Sequence, residues 1–188
     1  MLHFFYWSCL VLVINFTVVY AQNSGPENLA PNFADYFLKN MDEKVAQTVY
    51  NVNKYHMKPA LKFYAQGHLK RTLPDLKFVL RYIPNHPQAL HLLGAVAIGI
   101  NSKQFGRNYF QQAVHLFPDH ALTFAQYGKY LMDIEEIEEA VKMLDISIKK
   151  EPKLALAYDW LEMAYTKKGD EAKSKEIGRK AKELGYKK

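Results

Sequence analysis

A short pattern recurs in this chain at a fixed spacing of 34 residues. Each of Pro84, Pro118 and Pro152 is followed by a brief polar turn and then by an apolar stretch. A period of this length indicates an array of equal supersecondary units, because one unit cannot bury its apolar face alone and must stack on its neighbours. The chain is therefore predicted to form a repeat protein.

Each unit divides into two amphipathic helices, separated by turns at residues 101–103, at Asp133 and at residues 168–170. The first helix of each unit has apolar or small residues at positions i, i+3, i+4 and i+7, which share one helical face. The prolines are expected to end the second helices, because proline lacks the amide donor and clashes with the preceding turn. The sequence thus predicts an all-α fold.

The pattern resembles the tetratricopeptide repeat family. The resemblance covers residues 53–188 and is carried by Leu90, Leu93, Gly94, Phe110, Ala113 and Pro118, by Phe124, Gly128, Ala140, Leu144 and Pro152, and by Tyr158, Leu161, Tyr165, Gly169 and Ala181. The chain departs from the family pattern at Ala97, Gly106, Gly178 and Tyr186. The resemblance implies a right-handed superhelical solenoid of antiparallel helix pairs, with a degenerate repeat at 53–86 and clear repeats at 87–120, 121–154 and 155–188.

The segment before the clear repeats contains two regions. Residues 22–52 comprise a polar spacer and an N-terminal helix, which we expect at 32–55 because Phe33, Phe37, Met41, Val45 and Val49 fall four apart. In the degenerate repeat, Pro59 and Pro74 are expected to open shorter helices at about 58–69 and 74–83, the second capped by Thr72.

The family resemblance also implies a concave groove lined by the first helix of each repeat. The positions carried over are His91, Leu92, Ala95, Ile98, Gln126, Lys129, Met132, Asp159, Trp160 and Met163. This lining is more apolar than a solvated face, and exposed apolar patches mark interaction sites. Two alternatives stay open, since the N-terminal helix could fill the groove, or some of these residues could contact the next repeat. Trp160 is the expected anchor for a partner.

The first 21 residues have the pattern of a secretory signal peptide. They contain no Lys, Arg, Asp or Glu, and they end in Val19-Tyr20-Ala21 before a polar stretch. We expect cleavage after Ala21 and export to the periplasm or the medium. The alternative is an uncleaved membrane anchor, because roughly 20 apolar residues can span a bilayer. Cys9 is the only cysteine, so the cleaved chain has neither a disulfide nor thiolate chemistry.

The chain carries a net charge of +6, which is uneven: residues 53–120 contain nine Lys or Arg against two acids. For an exported protein this favours an acidic protein partner or peripheral association with an anionic membrane over nucleic acid. Glu135, Glu136, Glu138 and Glu139 suit the start of a helix, with an acidic docking patch as the alternative. The histidines lack the spacing of a metal site, and neither a cofactor nor a bound metal is predicted.

The sequence contains no recognisable catalytic motif, so it does not indicate an enzyme. The function expected from the resemblance is that of a protein–protein interaction adaptor, an exported bacterial scaffold that presents its groove to a peptide or protein in the cell envelope. The alternative is a structural subunit of a larger membrane, secretion or pilus-type assembly. The oligomeric state stays open.

Overall fold

The computed structural model describes residues 29–186, so the predicted signal peptide lies outside the described residues. This part of the chain contains helices and turns but no strands. The helices are α1 (Glu43–Val52), α2 (Lys58–Ala65), α3 (Leu69–Tyr82), α4 (Pro87–Gly99), α5 (Lys103–Leu116), α6 (Ala121–Asp133), α7 (Ile137–Lys150), α8 (Ala155–Lys168) and α9 (Glu171–Glu183).

The helices pack in sequence as pairs. The helix formed by α1 and α2 packs on α3, and the pairs α4–α5, α6–α7 and α8–α9 follow. Each second helix also contacts the first helix of the next pair, and α6 packs against both α4 and α8. One core runs through the stack, with Leu80, Leu93, Leu131 and Leu144 fully buried. The predicted all-α solenoid of helix pairs is confirmed.

The N-terminal helix begins later than predicted. Asp42 caps α1 by accepting a hydrogen bond from the Val45 amide at 2.8 Å, so the helix begins at Glu43 and residues 32–42 are not helical. The prediction of a helix at 32–55 was therefore wrong for its first eleven residues. Phe33 and Phe37 make ring contacts with Phe117 and His120 instead of continuing the stripe of a helix.

Pro59 does not open a separate helix. The backbone runs from α1 through a π-helical turn, Asn53–Met57, directly into α2. In a regular α-helix the ring of Pro59 would meet the carbonyl of Tyr55, four residues earlier, and it would leave that carbonyl without a donor. A wider turn at this place relieves the conflict, so the proline is accommodated inside one long helix that ends at Ala65.

Pro74 likewise lies inside a helix, because α3 begins at Leu69 and not at the expected residue 74. Thr72 does not cap it: its hydroxyl donates to the carbonyl of His68 at 3.1 Å. Pro74 removes the amide that would pair with the Lys70 carbonyl. Both residues are exposed, so water can satisfy that carbonyl and the helix continues.

The N-terminal segment (residues 29–42) runs along the turns between helix pairs. The Ala30 and Ala34 amides donate to the carbonyls of Arg81 and Tyr82 at 3.1 and 2.7 Å. Asp35 accepts a hydrogen bond from Asn85 Nδ2 at 2.7 Å, and its other oxygen is hydrogen-bonded to His120 Nε2 at 2.7 Å. One carboxylate thus joins two successive turns.

The Asp35 carboxylate is electrostatically suited to this position. Partial burial by itself raises the pKa of Asp35, but the hydrogen bonds from Asn85 and His120 outweigh it. The pKa of Asp35 therefore lies below its ordinary value, and the side chain stays ionised at neutral pH.

His86 connects the first two helix pairs from inside the core, where its side chain is only 2% exposed. Its Nδ1 caps α4 by accepting from the Ala89 amide at 3.2 Å. Nε2 therefore carries the proton and donates to Asn53 Oδ1 at 2.8 Å, on the π-helical turn. Burial lowers the pKa of His86 to about 4, so the folded protein holds this ring neutral.

Glycines allow the close approach of the helices in each pair. A Cβ at Gly128 would lie 2.6 Å from Cγ of Leu144, which packs over it from α7. A Cβ at Gly94 would lie 3.3 Å from the Phe110 ring of α5. These two glycines, which are part of the repeat pattern, therefore lie at the contact of the paired helices.

Tyr130 explains two departures from the repeat pattern. Its ring lies against Gly106, where a Cβ would stand 2.6 Å from Cζ of the tyrosine and 3.0 Å from the Ala97 side chain. The ring stacks on Phe110 at 4.9 Å, and its hydroxyl donates to the carbonyl of Lys103. The small residues at 97 and 106 therefore make room for one tyrosine of the following pair.

The last pair exchanges the large and small residues at its crossing. Glu162 occupies the position equivalent to Gly94 and Gly128, and Gly178 occupies that of Phe110 and Leu144. A Cβ at Gly178 would lie 2.7 Å from Oε1 of Glu162. The two departures thus compensate each other across one contact.

We predict that Gly106 and Tyr130 are energetically coupled. Gly106→Ala should overpack the contact by about 1–3 kcal/mol, partly offset by about 1 kcal/mol of helix propensity. In a Tyr130→Leu background the same change should cost at least about 1 kcal/mol less, measured as free energy of unfolding in urea. Gly178→Ala, which meets Glu162 instead, serves as the control and should be additive with Tyr130→Leu. Additivity of Gly106→Ala as well would contradict the assigned contact.

We also predict that His86 makes stability depend on pH. The unfolded chain binds a proton near pH 6.5 that the folded ring binds only near pH 4. Stability from this ring is therefore full above about pH 6.5 and declines by up to about 3 kcal/mol as the pH falls to 4. His86→Asn keeps a capping side chain without titrating. Urea unfolding at a series of pH values should show a shallower decline for the variant, and parallel curves would contradict this role.

Candidate partner-binding groove

The first helices of the last three pairs lie side by side and expose one continuous surface. Between α4, α6 and α8 this surface forms a groove with a small cavity of about 50 Å³. The cavity is lined by His91, Gly94, Ala95, Phe110, Gln126, Lys129, Tyr130, Asp133 and Trp160. It has space for a few water molecules or one short side chain.

Half of the predicted groove residues meet at this cavity. His91 and Ala95 reach it from α4, Gln126 and Lys129 from α6, and Trp160 from α8. Two further predicted residues are exposed on the same helices, Ile98 at 36% and Met163 at 38%. The structure therefore brings residues from three repeats into one surface.

The other predicted residues are not available to a partner. Leu92, Met132 and Asp159 are buried, so their assignment to the groove surface was wrong. Leu92 and Met132 belong to the core that joins the helix pairs. A first helix has an open face and a face that contacts the neighbouring first helix, and the side chains of Leu92 and Met132 lie on the contact face.

Sequence reasoning missed four lining residues, Gly94, Phe110, Tyr130 and Asp133. Phe110 and Tyr130 were not among the predicted groove residues because they are core positions, although both also line the cavity. Asp133 could have been found, because it follows Lys129 by four residues and such pairs meet on one helix face.

The polar groups of the groove are mostly paired within the protein. Lys129 Nζ lies 2.6 Å from both carboxylate oxygens of Asp133, which leaves little net charge at the cavity. Gln126 Nε2 donates to the Pro87 carbonyl at 2.9 Å and so fixes the side chain across α4 and α6. Its Oε1 is buried and accepts no hydrogen bond from the described residues.

The groove is open in the part of the chain that the structure describes. The long helix of α1 and α2 packs on α3, and no residue from either lines the cavity. The N-terminal segment lies along the turns at 82–86 and 117–120. The alternative in which the N-terminal helix fills the groove is therefore not what the structure shows.

Solved structures with the same arrangement of helices are known. Crystal structures of MamA and of YrrB, the latter described as a TPR protein with an unusual peptide-binding site, align with TM-scores of 0.55 and 0.54 at 22% and 17% identity. Both alignments cover 76% of this chain, with 83% of MamA and 78% of YrrB. PilF of Pseudomonas aeruginosa aligns with a TM-score of 0.59 at 17% identity, over 73% of this chain and 63% of its own.

The chain has the tetratricopeptide-repeat fold. No family model matches its sequence, and no curated protein matches it either. The fold is thus established by structural likeness at low identity.

Other polar clusters of this tetratricopeptide-repeat protein have structural partners. Arg107 of α5 forms ion pairs with Glu136 and with Glu139, the latter at 2.7 Å, and their hydrogen bonds raise its pKa despite the opposing effect of burial. Glu138 lies 3.7 Å from Lys168. The acidic cluster at the start of α7 therefore ties neighbouring pairs together, as expected for a structural role.

Residues 29–186 contain neither a cluster of metal ligands nor a membrane-spanning helix. Within this range no group of three His, Cys, Asp or Glu side chains could hold a metal ion. None of the helices in the same range is both long enough and apolar enough to cross a bilayer.

Proposed function

We propose that this protein is a non-catalytic interaction adaptor whose groove between α4, α6 and α8 binds a segment of a partner protein. The observation that carries the proposal is the open apolar surface around Trp160, with Ile98 exposed on α4 and Met163 exposed on α8. A soluble surface seldom leaves such residues uncovered without an interaction to serve. The peptide-binding site described for YrrB, a protein of the same fold, adds support.

The groove favours a ligand of particular chemistry. Its small cavity accepts one short side chain, and the Trp160 ring and exposed aliphatic residues cover apolar groups beside it. Because Lys129 is neutralised by Asp133, the groove itself does not select for an acidic ligand. An uncharged peptide segment with one small residue fits best.

We further propose that the protein acts in the cell envelope after export. This rests on the uncharged, apolar stretch before Val19-Tyr20-Ala21. The first step of the experiment is therefore to purify the protein from its own cells and to determine its N-terminal residue. Export with cleavage predicts Gln22, whereas a chain that starts at Met1 and sediments with membranes would indicate an anchor.

The second step compares partner recovery by the wild type and Trp160→Ala from the same envelope fraction. Loss of a central tryptophan typically costs about 2 kcal/mol or more of binding, which weakens the affinity about thirtyfold. Since Trp160 is partly exposed, the melting temperature should fall by only a few degrees. Phe105→Ala removes an aromatic residue of α5 that is likewise partly buried against the core but lies outside the groove, and it should leave recovery unchanged.

Two outcomes would count against the proposal. Full recovery with Trp160→Ala would show that the groove is not the binding surface. Co-purification of the wild-type protein only as a fixed member of a large complex, with no free form, would favour the structural-subunit alternative.

A further inference from the structure

The net charge of this protein resides in its first helix pair. Residues 53–86 contain seven Lys or Arg and a single acid, Asp75, whereas the remainder of the chain has eighteen of each kind. Asp75 is already engaged, since it lies 2.9 Å from His56 Nδ1. The first pair is therefore a strongly positive end on a stack that is otherwise balanced.

The last helix pair shows what a solvated end of the stack looks like. On α9, Lys175 lies 3.5 Å from Glu171 and Lys180 lies 3.3 Å from Glu183. Terminal repeats of a solenoid need such a polar outer face. The first helix of the opposite end instead exposes Tyr50, Tyr55 and Tyr64. The last pair thus exposes paired charges, whereas the first pair exposes aromatic residues, and only the first has the composition of a contact surface.

A second groove lies on the outer face of α3, within this positive end. It has a volume of about 490 Å³ and is lined by Lys70, Leu73, Pro74, Lys77, Phe78 and Arg81. Leu73 and Phe78 form an apolar floor, being partly buried against the core. No ion pair among the described residues involves Lys70 or Arg81. The groove thus combines an apolar floor with cations at both ends.

We propose that this face of α3 binds an acidic amphipathic helix of a partner protein. Lys70 and Arg81 are eleven residues apart on one helix, which separates them by about 16 Å, or three turns. A partner helix lying along α3 can place carboxylates at that interval and its apolar stripe on Leu73 and Phe78. The surface is distinct from the groove around Trp160, so the protein can hold two segments at once.

Other occupants fit this face less well. A second copy of the chain would bring the same positive end, and its acidic residues Glu136 and Glu139 are already paired with Arg107. Residues 1–28 contain one carboxylate, Glu27, which cannot neutralise the excess. A flat anionic membrane would meet the protruding lysines but not the recessed apolar floor. A protein helix satisfies both features.

The test uses a fluorescently labelled synthetic helix made of glutamate and leucine, arranged so that the leucines form one stripe. Its binding to the purified protein is followed by fluorescence anisotropy. The double variant Lys70→Glu, Arg81→Glu should lose at least about tenfold in affinity. The control variant Lys167→Glu, Lys182→Glu has the same net charge but is changed far from α3, and it should stay within about threefold of the wild type.

Four outcomes would overturn the proposal. Equal weakening by both double variants would mean that only net charge matters, and failure of the wild type to bind the peptide would exclude this ligand class. Tighter binding to phosphatidylglycerol vesicles, lost in the α3 variant, would assign the face to a membrane. Equal weakening by Trp160→Ala would place the peptide in the other groove, whereas unchanged binding by that variant keeps the two surfaces independent.

Discussion

The close approach of the two helices in each pair is the constraint on which the rest of this structure depends. In each of the last three pairs the crossing has room for one large side chain, and a glycine faces it: Gly128 lies under Leu144, and Gly178 lies under Glu162. The reversal in the last pair shows that the combined volume is conserved, and not the residue at either position. Because the crossings are alike, the pairs stack in a regular series, and α4, α6 and α8 come to lie side by side. The groove is a consequence of that regularity.

The N-terminal segment leaves the groove open because it lies along the turns between the helix pairs. Its Asp35 is hydrogen-bonded to Asn85 and His120, one residue from each of two successive turns between pairs. These contacts lie at the ends of the helices and not on their open faces. The segment therefore links three pairs of the stack and leaves the surface around Trp160 uncovered. Its position also accounts for His120, whose equivalent in the preceding repeat, His86, has a different role as a helix cap.

The helices of the clear repeats were predictable because their period, turns and apolar faces all indicate one fold. Five groove residues were likewise predictable, but Leu92, Met132 and Asp159 were assigned to the wrong side. The open face and the contact face of a first helix share an edge, and only the packing of α6 against α4 and α8 decides which positions stay open. The prediction of the N-terminal helix was wrong for another reason. Phe33 and Phe37 have helical spacing, yet their contacts are with residues more than 80 positions away, which no local pattern records.

The central claim is that the surface around Trp160 is open in the free protein, and the fluorescence of this residue tests it directly. The chain has two tryptophans, so a Trp7→Phe variant leaves Trp160 as the sole reporter. Acrylamide added to the folded protein should quench its emission readily, with only a modest further increase after unfolding in urea. Emission that resists quenching until the protein unfolds would show a filled groove and would contradict the account.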